Sequence, residues 1–177
     1  MRHAYLLPWR RKVYARNWRP WALKLIDTIR QVHPLSLIFV SGINWGYDLR
    51  GVKLDRANLV YSSHAYPDKR PGWETAFGRI AETAPVFIGE FGGEDKDLAW
   101  GRELMAYLDE KGLGWAAWSW RDWPHLQREG RLTPFGMLVA AGLRRELAAR
   151  GGPFDSSQLP GIAPREEMAG RRGLVPS

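Results

Sequence analysis

The sequence predicts an α/β protein with a parallel sheet, and three observations support this fold class. Short apolar segments of strand length alternate four times with longer segments of helical periodicity. Glycine and proline bound the apolar segments, as is typical of strands that lead into loops. Polar or aromatic side chains follow each segment at the same end. The predicted strands cover residues 37–41, 59–65, 86–90 and 114–120.

The first predicted element is an amphipathic helix over residues 17–33, which Pro34 ends. Its apolar residues recur at helical spacing, and we expect them to pack against the core: Trp18, Trp21, Ala22, Leu25, Ile26, Ile29 and Val32. After the first strand, residues 44–58 are predicted to form a loop, in which residues 53–57 could make one helical turn.

The second and third strands are each followed by a predicted helix. Residues 72–83 form the first of these and direct Phe77, Ile80 and Ala81 inward. Asp97 is the predicted N-cap of the next helix, which Gly112 ends. This second helix is expected to pack through Trp100, Leu104, Met105 and Leu108.

The C-terminal part begins with a predicted polar loop, residues 122–131. Thr133 and Pro134 then supply an N-cap and a first-turn proline for the last helix. Its predicted buried residues are Phe135, Leu138, Val139, Gly142, Leu143 and Leu147. Residues 151–177 show no periodicity and are rich in proline, glycine and serine, so we expect a disordered tail.

The strand ends carry the candidate functional residues. Glu90 closes a buried apolar strand, a position where parallel barrels keep catalytic groups. Glu90 could instead cap the helix that follows. His64 and Tyr66 follow the second strand, where the alternatives are a structural histidine and a tyrosine that packs in the loop. Trp118 and Trp120 end the fourth strand, and Trp118 could instead be a core residue. Trp45 follows the first strand, and a functional role and a structural role both remain open for it.

These strand ends resemble glycoside hydrolase family 5, the retaining, endoglucanase-like (β/α)8 barrels. The matching segments are His64-Ala-Tyr66, Ile88-Gly-Glu-Phe-Gly92 and Trp118-Ser-Trp120, and Asn44-Trp-Gly-Tyr-Asp48 is a weaker match. The resemblance covers about residues 17–150. It implies a partial TIM barrel, whose four strand–helix units correspond to barrel strands five to eight, with residues 1–16 as the start of a truncated barrel.

The resemblance also implies a role for each candidate residue. Glu90 matches the family's nucleophile, and His64 and Tyr66 match the pair of rings beside it. Trp118 matches the platform under the sugar that is cleaved, with Trp120 as the less favoured candidate for that role. Trp45 would line a neighbouring subsite. The substrate would be a β-linked polysaccharide such as a glucan or mannan, or an oligosaccharide of that kind.

The second catalytic carboxylate of the family is expected before residue 17, yet residues 1–16 contain no Asp or Glu. Candidates inside the chain are Glu94, Asp95 and Asp122, which follow the third and fourth predicted strands. None of them is opposite the nucleophile by the family's pattern. Activity of this chain alone is therefore in doubt, and a homodimer or the missing N-terminal half of the barrel could complete the site.

Composition excludes several other classes of function. The chain of 177 residues has no cysteine, and its four histidines lack metal-ligand spacing, so we expect no metal and no cofactor. The net charge of +7 is concentrated near the N-terminus, but no nucleic-acid module accompanies it. No apolar segment approaches the roughly 20 residues of a membrane span. Localisation stays open, because the family implies a secreted parent enzyme whereas no signal peptide follows Met1.

Ten tryptophans are an excess for one small core and suit a carbohydrate-binding groove, because indole faces pack against sugar C–H groups. Three hypotheses follow. The chain is an enzyme fragment with the nucleophile, a non-catalytic carbohydrate binder, or a half-barrel that assembles with itself.

Overall fold

A computed structural model describes residues 15–149, with side chains as far as residue 145, and has the predicted α/β organisation. The chain divides into two compact units, residues 1–139 and 140–177, and the sheet and the candidate site belong to the first. The elements in chain order are α1 (Ala15–Val32), β1 (Ile38–Ser41), β2 (Leu59–Ala65), a π-helical turn (Glu74–Gly78), α2 (Arg79–Ala81), β3 (Val86–Phe91), a 3-10 turn (Asp95–Asp97), α3 (Leu98–Lys111), β4 (Gly114–Trp115), β5 (Gln127–Arg128), β6 (Arg131–Leu132) and α4 (Pro134–Ala149).

The main sheet contains four parallel strands in the order β1-β2-β3-β4. Strand neighbours in the sheet are therefore also neighbours in the chain, as repeated strand–helix units require. The C-terminal ends of all four strands lie at one edge of the sheet. The predicted functional residues follow these ends, so the topology collects them on one side of the protein.

The core holds the sheet and the intervening helices together. Aromatic residues occupy its centre, where Phe91 contacts Phe135 at 6.3 Å between ring centroids and Tyr47 contacts Phe77 at 6.0 Å. All four of these rings are at least 99% buried. On α3, the predicted residues Leu104, Met105 and Leu108 are buried as expected. Asp97 occupies the N-cap position of α3, but its carboxylate accepts the Glu94 amide at 2.9 Å and makes no capping hydrogen bond to the helix. Gly112 ends the helix in the left-handed conformation.

Two predicted helical segments are wrong in detail. Residues 53–57 form no helical turn, and the predicted helix over 72–83 is a π-helical turn followed by one turn of α-helix. Within the irregular helix, the Ala76 carbonyl accepts a hydrogen bond at 2.9 Å from the Leu49 amide, which lies outside the helix. Phe77 is fully buried as predicted, whereas Ile80 is only partly buried.

The fourth strand is shorter than predicted, with regular pairing only over Gly114–Trp115. The chain still follows β3 beyond this point, since the Trp118 amide donates to the Phe91 carbonyl at 2.8 Å. From Ser119 onward the backbone bonds within its own loop, where the Ser119 amide donates to the Pro124 carbonyl at 3.0 Å. These local bonds take the chain away from the sheet.

The loop predicted over 122–131 contains the start of a β-hairpin made of β5 and β6. Its two turn residues, Glu129 and Gly130, have φ angles of 50° and 79°. Two consecutive positive φ values are typical of a tight two-residue hairpin turn. The last helix begins as predicted, because the Thr133 hydroxyl accepts the Gly136 amide at 3.0 Å. On that helix Leu143 is 49% exposed, in contrast to the prediction.

The apolar face of α1 is also more exposed than predicted. Ala22 and Ile26 are buried, but the remaining large residues of the face are 40–73% exposed: Trp21, Leu25, Ile29 and Val32. β1 is the edge strand beside this helix in the chain, and Phe39 on it is 55% exposed. Four parallel strands do not close into a barrel, so this edge has no further strand in the part of the chain described.

The prediction of a disordered tail over 151–177 lies outside the described residues, as does most of the basic segment 1–16. Between residues 15 and 149, none of the helices combines the length and the apolar character that crossing a membrane requires.

Candidate active site

The structure brings His64, Tyr66 and Glu90 together at the ends of β2 and β3. A register shift between Ser63 and His64 places His64 directly opposite Glu90 in the parallel ladder. Neighbouring strands lie about 4.7–4.9 Å apart, so the imidazole and the carboxylate become neighbours. The Tyr66 hydroxyl donates to Glu90 Oε2 at 2.9 Å, and His64 Nδ1 lies 3.5 Å from the same oxygen.

The protonation of Tyr66 suits this hydrogen bond. Burial raises the pKa of the Tyr66 hydroxyl, and the hydrogen bond to Glu90 raises that pKa further. The hydroxyl therefore stays protonated and acts as a donor throughout the neutral range. The Glu90 side chain keeps 27% of its surface exposed, so a ligand can reach it. The Glu90 carboxylate is therefore held in one orientation and remains accessible.

Two glycines define the space for the His64 imidazole. A Cβ atom at Gly46 would lie 2.8 Å from His64 Nδ1, and Gly46 itself has a φ of +80°. A Cβ at Gly89 would lie 2.3 Å from Ser62 Oγ and 3.4 Å from His64 Nε2. Contacts below 3.0 Å require a neighbour to move. These positions were not among the residues predicted from the sequence, although each glycine adjoins a predicted site residue in the chain.

The loop after β1 displays Trp45, which is 84% exposed. Asn44 and Trp45 have φ angles of 56° and 60°, in the left-handed region that residues other than glycine seldom adopt. Two antiparallel bridges hold the loop, Gly42 with Gly46 and Ile43 with Asp48. The Gly46 carbonyl accepts the His64 amide at 3.2 Å, so this loop is attached to the end of β2.

The segment after β4 presents three tryptophans, and a hydrogen bond links two of these residues. The Trp118 ring nitrogen donates to the Trp123 carbonyl at 3.2 Å, and 38% of Trp118 remains exposed. Trp120 and Trp123 are each 65% exposed. Trp118 adjoins β3 through its backbone, whereas within residues 15–149 no hydrogen bond or ring contact joins Trp120 to the His64–Tyr66–Glu90 group.

A cavity of about 270 Å³ lies beside Tyr66. Its walls come from the loops after β2, β3 and β4, and include Lys69, Glu94 and Trp123. Burial lowers the pKa of the Lys69 ammonium group. The hydrogen bond from the Trp123 indole lowers the pKa of the Glu94 carboxyl, and the hydrogen bond from Lys96 lowers that pKa further. Trp123 was not predicted as a site residue, although it follows the strand end that carries Trp118.

No second carboxylate pairs with Glu90 among the residues that the structure describes. Glu94 accepts a hydrogen bond from the Trp123 indole at 3.3 Å and pairs with Lys96 at 3.3 Å. Asp95 and Asp122 are exposed and have no recorded contact with Glu90. Over the same residues, no cluster of three histidine or carboxylate side chains is suitable for a metal ion.

Comparison with known proteins identifies the family. Residues 7–123, about two thirds of the chain, match the sequence model described as cellulase, glycosyl hydrolase family 5. The chain belongs to glycosyl hydrolase family 5. The resemblance stated from the strand-end motifs is thereby confirmed.

Among curated relatives, an endoglucanase of Paenibacillus polymyxa is 31% identical over an alignment that covers 58% of this chain and 36% of that protein. Endoglucanase N of Pectobacterium atrosepticum is 28% identical, with 80% of this chain and 34% of that protein covered. This family 5 chain therefore spans about a third of the length of these relatives.

Solved structures confirm the fold class. A β-glucanase from Saccharophagus degradans in complex with cellotetraose matches with a TM-score of 0.64 and 22% identity, covering 76% of this chain and 49% of that one. A mannotriose complex of a Thermomonospora fusca β-mannanase matches with a TM-score of 0.58 and 21% identity, covering 72% and 49%. The parallel strand–helix units thus match a part of the TIM-barrel fold, and this chain aligns with about half of each of these solved chains.

Proposed function

We propose that this family 5 chain supplies the nucleophile side of a retaining glycosidase site for β-linked polysaccharides such as glucans or mannans. The observation that carries the proposal is the placement of Glu90, whose carboxylate accepts the Tyr66 hydroxyl at 2.9 Å and lies 3.5 Å from His64. The endoglucanase, glucanase and mannanase names of the matched proteins support this substrate class.

Both recorded contacts of the carboxylate are to Oε2, which leaves Oε1 to attack the sugar. In the first step, Oε1 forms an ester bond to the anomeric carbon while the bond from that carbon to the leaving oxygen breaks, and the departing oxygen takes the electron pair. In the second step, water attacks the same carbon and gives up a proton to the acid/base group or to solvent, while the bond from the carbon to Oε1 breaks and Glu90 leaves as a carboxylate. The Tyr66 hydroxyl keeps the carboxylate aimed before the attack.

A retaining site also needs an acid about 5–5.5 Å from the nucleophile, to protonate the leaving oxygen and later activate water. Lack of such a group typically costs about 10²–10⁴-fold in rate. We propose that a second half of the barrel supplies this acid, either from an N-terminal half or from a second copy of the chain.

The exposed apolar surface supports such a partner half. Trp21, Leu25, Ile29 and Val32 form a stripe along α1, and β1 next to α1 in the chain carries the exposed Phe39. An edge strand and an exposed apolar face both favour association. We refer to the four exposed residues on α1 as the α1 stripe.

Hydrolysis of an activated substrate tests the proposed nucleophile. A dinitrophenyl β-cellobioside has a leaving group that scarcely needs protonation, so we expect the full chain to cleave it above the buffer rate and cellulose hardly at all. Glu90→Gln should abolish this activity. Asp95→Asn is the matched control and should retain it, because Asp95 is exposed and does not line the cavity beside Tyr66. Equal rates for Glu90→Gln and the unaltered chain would exclude Glu90 as the nucleophile.

The oligomeric state tests the proposed partner surface. Light scattering over a range of concentrations should show association of the unaltered chain. Ile29→Lys, which places a charge in the α1 stripe, should weaken that association. Leu132→Lys is the control, because Leu132 is 38% exposed on β6, outside this surface. A compact monomer at every concentration would contradict association through this surface.

The exposed tryptophans favour a second candidate function, non-catalytic binding of carbohydrate. Trp45, Trp120 and Trp123 are each at least 65% exposed near the strand ends, and such faces suit sugar rings. Oligosaccharide binding without any cleavage of the activated glycoside would favour this second function over the first.

A further inference from the structure

A second cavity, of about 290 Å³, lies between the loop after β1 and the helical segment after β2. Leu49 and Ala76 form its floor, since both are at least 99% buried, and the Leu49 amide donates to the Ala76 carbonyl at 2.9 Å. The cavity shares no lining residue with the cavity beside Tyr66 and includes neither His64 nor Glu90. Its volume is near the lower limit of the roughly 300–1,000 Å³ typical of small-molecule sites, so it suits a small ligand.

The charged residues that line this second cavity are all cationic. Arg50, Lys53 and Arg79 contribute to the lining, which among the described residues contains no carboxylate and no aromatic ring. A lining without carboxylates offers a metal cation few ligands, and one without rings offers a sugar no face to pack against. The lining therefore favours an anionic ligand.

A buried carboxylate holds Arg50 in place. The Nε and Nη2 atoms of Arg50 donate to Asp48 at 3.0 and 2.6 Å, and Asp48 is only 4% exposed. In the part of the chain that the structure describes, these bonds do not use Arg50 Nη1, so its two hydrogens are available to a ligand. A guanidinium group that is already fixed needs little further ordering to bind an oxyanion.

The segment that carries Lys53 is fixed by bonds to two other parts of the chain. The Lys53 ammonium group donates to the Thr83 carbonyl at 3.0 Å, which uses one of its three donors. Arg19 on α1 donates to the Gly51 carbonyl at 3.2 Å and also to the Lys53 carbonyl. Arg19 therefore adds a further positive charge next to the residues that line the cavity.

The charges around the cavity leave an excess of positive charge. Asp48 offsets one of the three cations that line the cavity, so two positive charges remain. Glu74 is the other carboxylate on which these cations act: hydrogen bonds from Lys111 and Tyr107 lower its pKa, and the charge of Arg79 contributes to the same effect. Because Glu74 already bonds to Lys111 and Tyr107, it leaves the charge of Arg79 largely available. A doubly charged anion would balance the excess.

We propose that this cavity binds one doubly charged tetrahedral oxyanion, a phosphate or sulfate group. Arg50 Nη1, the Lys53 ammonium group and the Arg79 guanidinium group donate to its oxygens, and the Thr75 hydroxyl in the lining is a further donor. The anion is either free in solution or carried by a larger molecule such as a sugar phosphate. The site is separate from Glu90 and gives the chain a ligand other than the polysaccharide of the proposed function.

Proton–nitrogen NMR of the arginine side chains in the full chain tests this proposal, with inorganic phosphate as the probe at low salt. Arg50→Lys and Arg79→Gln each identify one Nε resonance by its disappearance. We expect phosphate to shift both resonances in a saturable manner. Sodium chloride at the same ionic strength should not reproduce these shifts, because a single charge does not balance the excess.

Further variants locate the binding. Arg79→Gln and Lys53→Gln should each weaken phosphate binding about two- to fivefold, the loss expected for one exposed charge pair, and the double variant should weaken it more. Arg102→Gln is the matched control, because it removes an exposed cation from α3, outside the cavity, and should leave the affinity unchanged. A spectrum that is otherwise unaltered shows that each variant is folded.

Glucose 6-phosphate distinguishes the two sources of the anion. Tighter binding than that of inorganic phosphate indicates a site for a phosphorylated sugar, and equal or weaker binding indicates a site for the free anion. The site is refuted if phosphate causes no shift, if the shifts never saturate, or if Arg79→Gln and Arg102→Gln weaken binding equally. The last two results would show that the net charge of +7 attracts anions without a defined site. None of these results bears on the role of Glu90.

Discussion

Gly89 offers a sharp test of how the site is packed, because an added methyl group has a defined obstacle. In Gly89→Ala the new Cβ would lie 2.3 Å from Ser62 Oγ on the neighbouring strand. Overpacking of this kind typically costs about 1–3 kcal/mol. Alanine gains about 0.5–1 kcal/mol over glycine within a strand. We therefore expect the free energy of unfolding to fall by about 0.5–2 kcal/mol.

Urea unfolding of four proteins measures this effect: the unaltered chain, Gly89→Ala, Ser62→Ala and the double variant. Ser62→Ala removes the Oγ atom that the new methyl group would meet, so the double variant should recover most of the loss from Gly89→Ala. Neighbouring sites of this kind show coupling of about 0.5–3 kcal/mol. Strictly additive effects, or a fully stable Gly89→Ala, would refute the packing between Gly89 and Ser62.

Two further predictions concern stability. Burial and carboxylate hydrogen bonds raise the pKa of Tyr66 and Tyr107, so both hydroxyls stay protonated in the folded chain when unfolded tyrosines ionise near pH 10. The free energy of unfolding should therefore fall as pH rises above about 10, and it should fall less steeply in the Tyr66→Phe, Tyr107→Phe double variant. Urea unfolding midpoints from pH 8 to 11 measure this trend. The same dependence on pH in both proteins would contradict the prediction. Thr133→Ala should lower the free energy of unfolding by about 1 kcal/mol, because it removes the N-cap hydrogen bond to Gly136. Thr133→Ser keeps the hydroxyl and should keep the stability. Thermal unfolding measures both variants, and equal losses of stability would contradict the role of the cap.

The local rules of the sequence predict most of the elements correctly. β2 has the predicted bounds, and α3 ends at Gly112 as predicted. Asp97 holds the predicted N-cap position, but its side chain makes no capping bond to α3. Apolar periodicity and capping residues act over a few positions of the chain, so the sequence alone is enough to predict the elements that depend on them. The exposed stripe on α1 differs, because periodicity shows that a face is apolar but not what covers it.

Local rules also miss contacts between segments. The register shift that places His64 opposite Glu90 depends on how β2 and β3 pair, which periodicity alone does not determine. The hydrogen bond from the Leu49 amide to Ala76 in the π-helical turn likewise joins two separate segments. The sequence does contain a local indication of the hairpin, because Gly130 favours a tight turn. The polar composition of the segment nevertheless led to the prediction of a loop.

The sequence predicts which candidate residues the structure brings together, but not their geometry. The motifs placed His64, Tyr66 and Glu90 at strand ends, and the structure adds the shared contact to one carboxylate oxygen. Trp123 lies on an irregular loop whose path follows from bonds between Ser119, Pro124 and Leu126. No periodic pattern reports such a path, so this residue was missed.

The central claim is that Glu90 is the nucleophile, and covalent labelling tests it most directly. The full chain is incubated with a dinitrophenyl 2-deoxy-2-fluoro-β-cellobioside, which has a leaving group that scarcely needs protonation, and the modified peptide is located by mass spectrometry. We predict one glycosyl group attached to Glu90, and none in Glu90→Gln. A label on Glu94, Asp95 or Asp122 instead would contradict the claim.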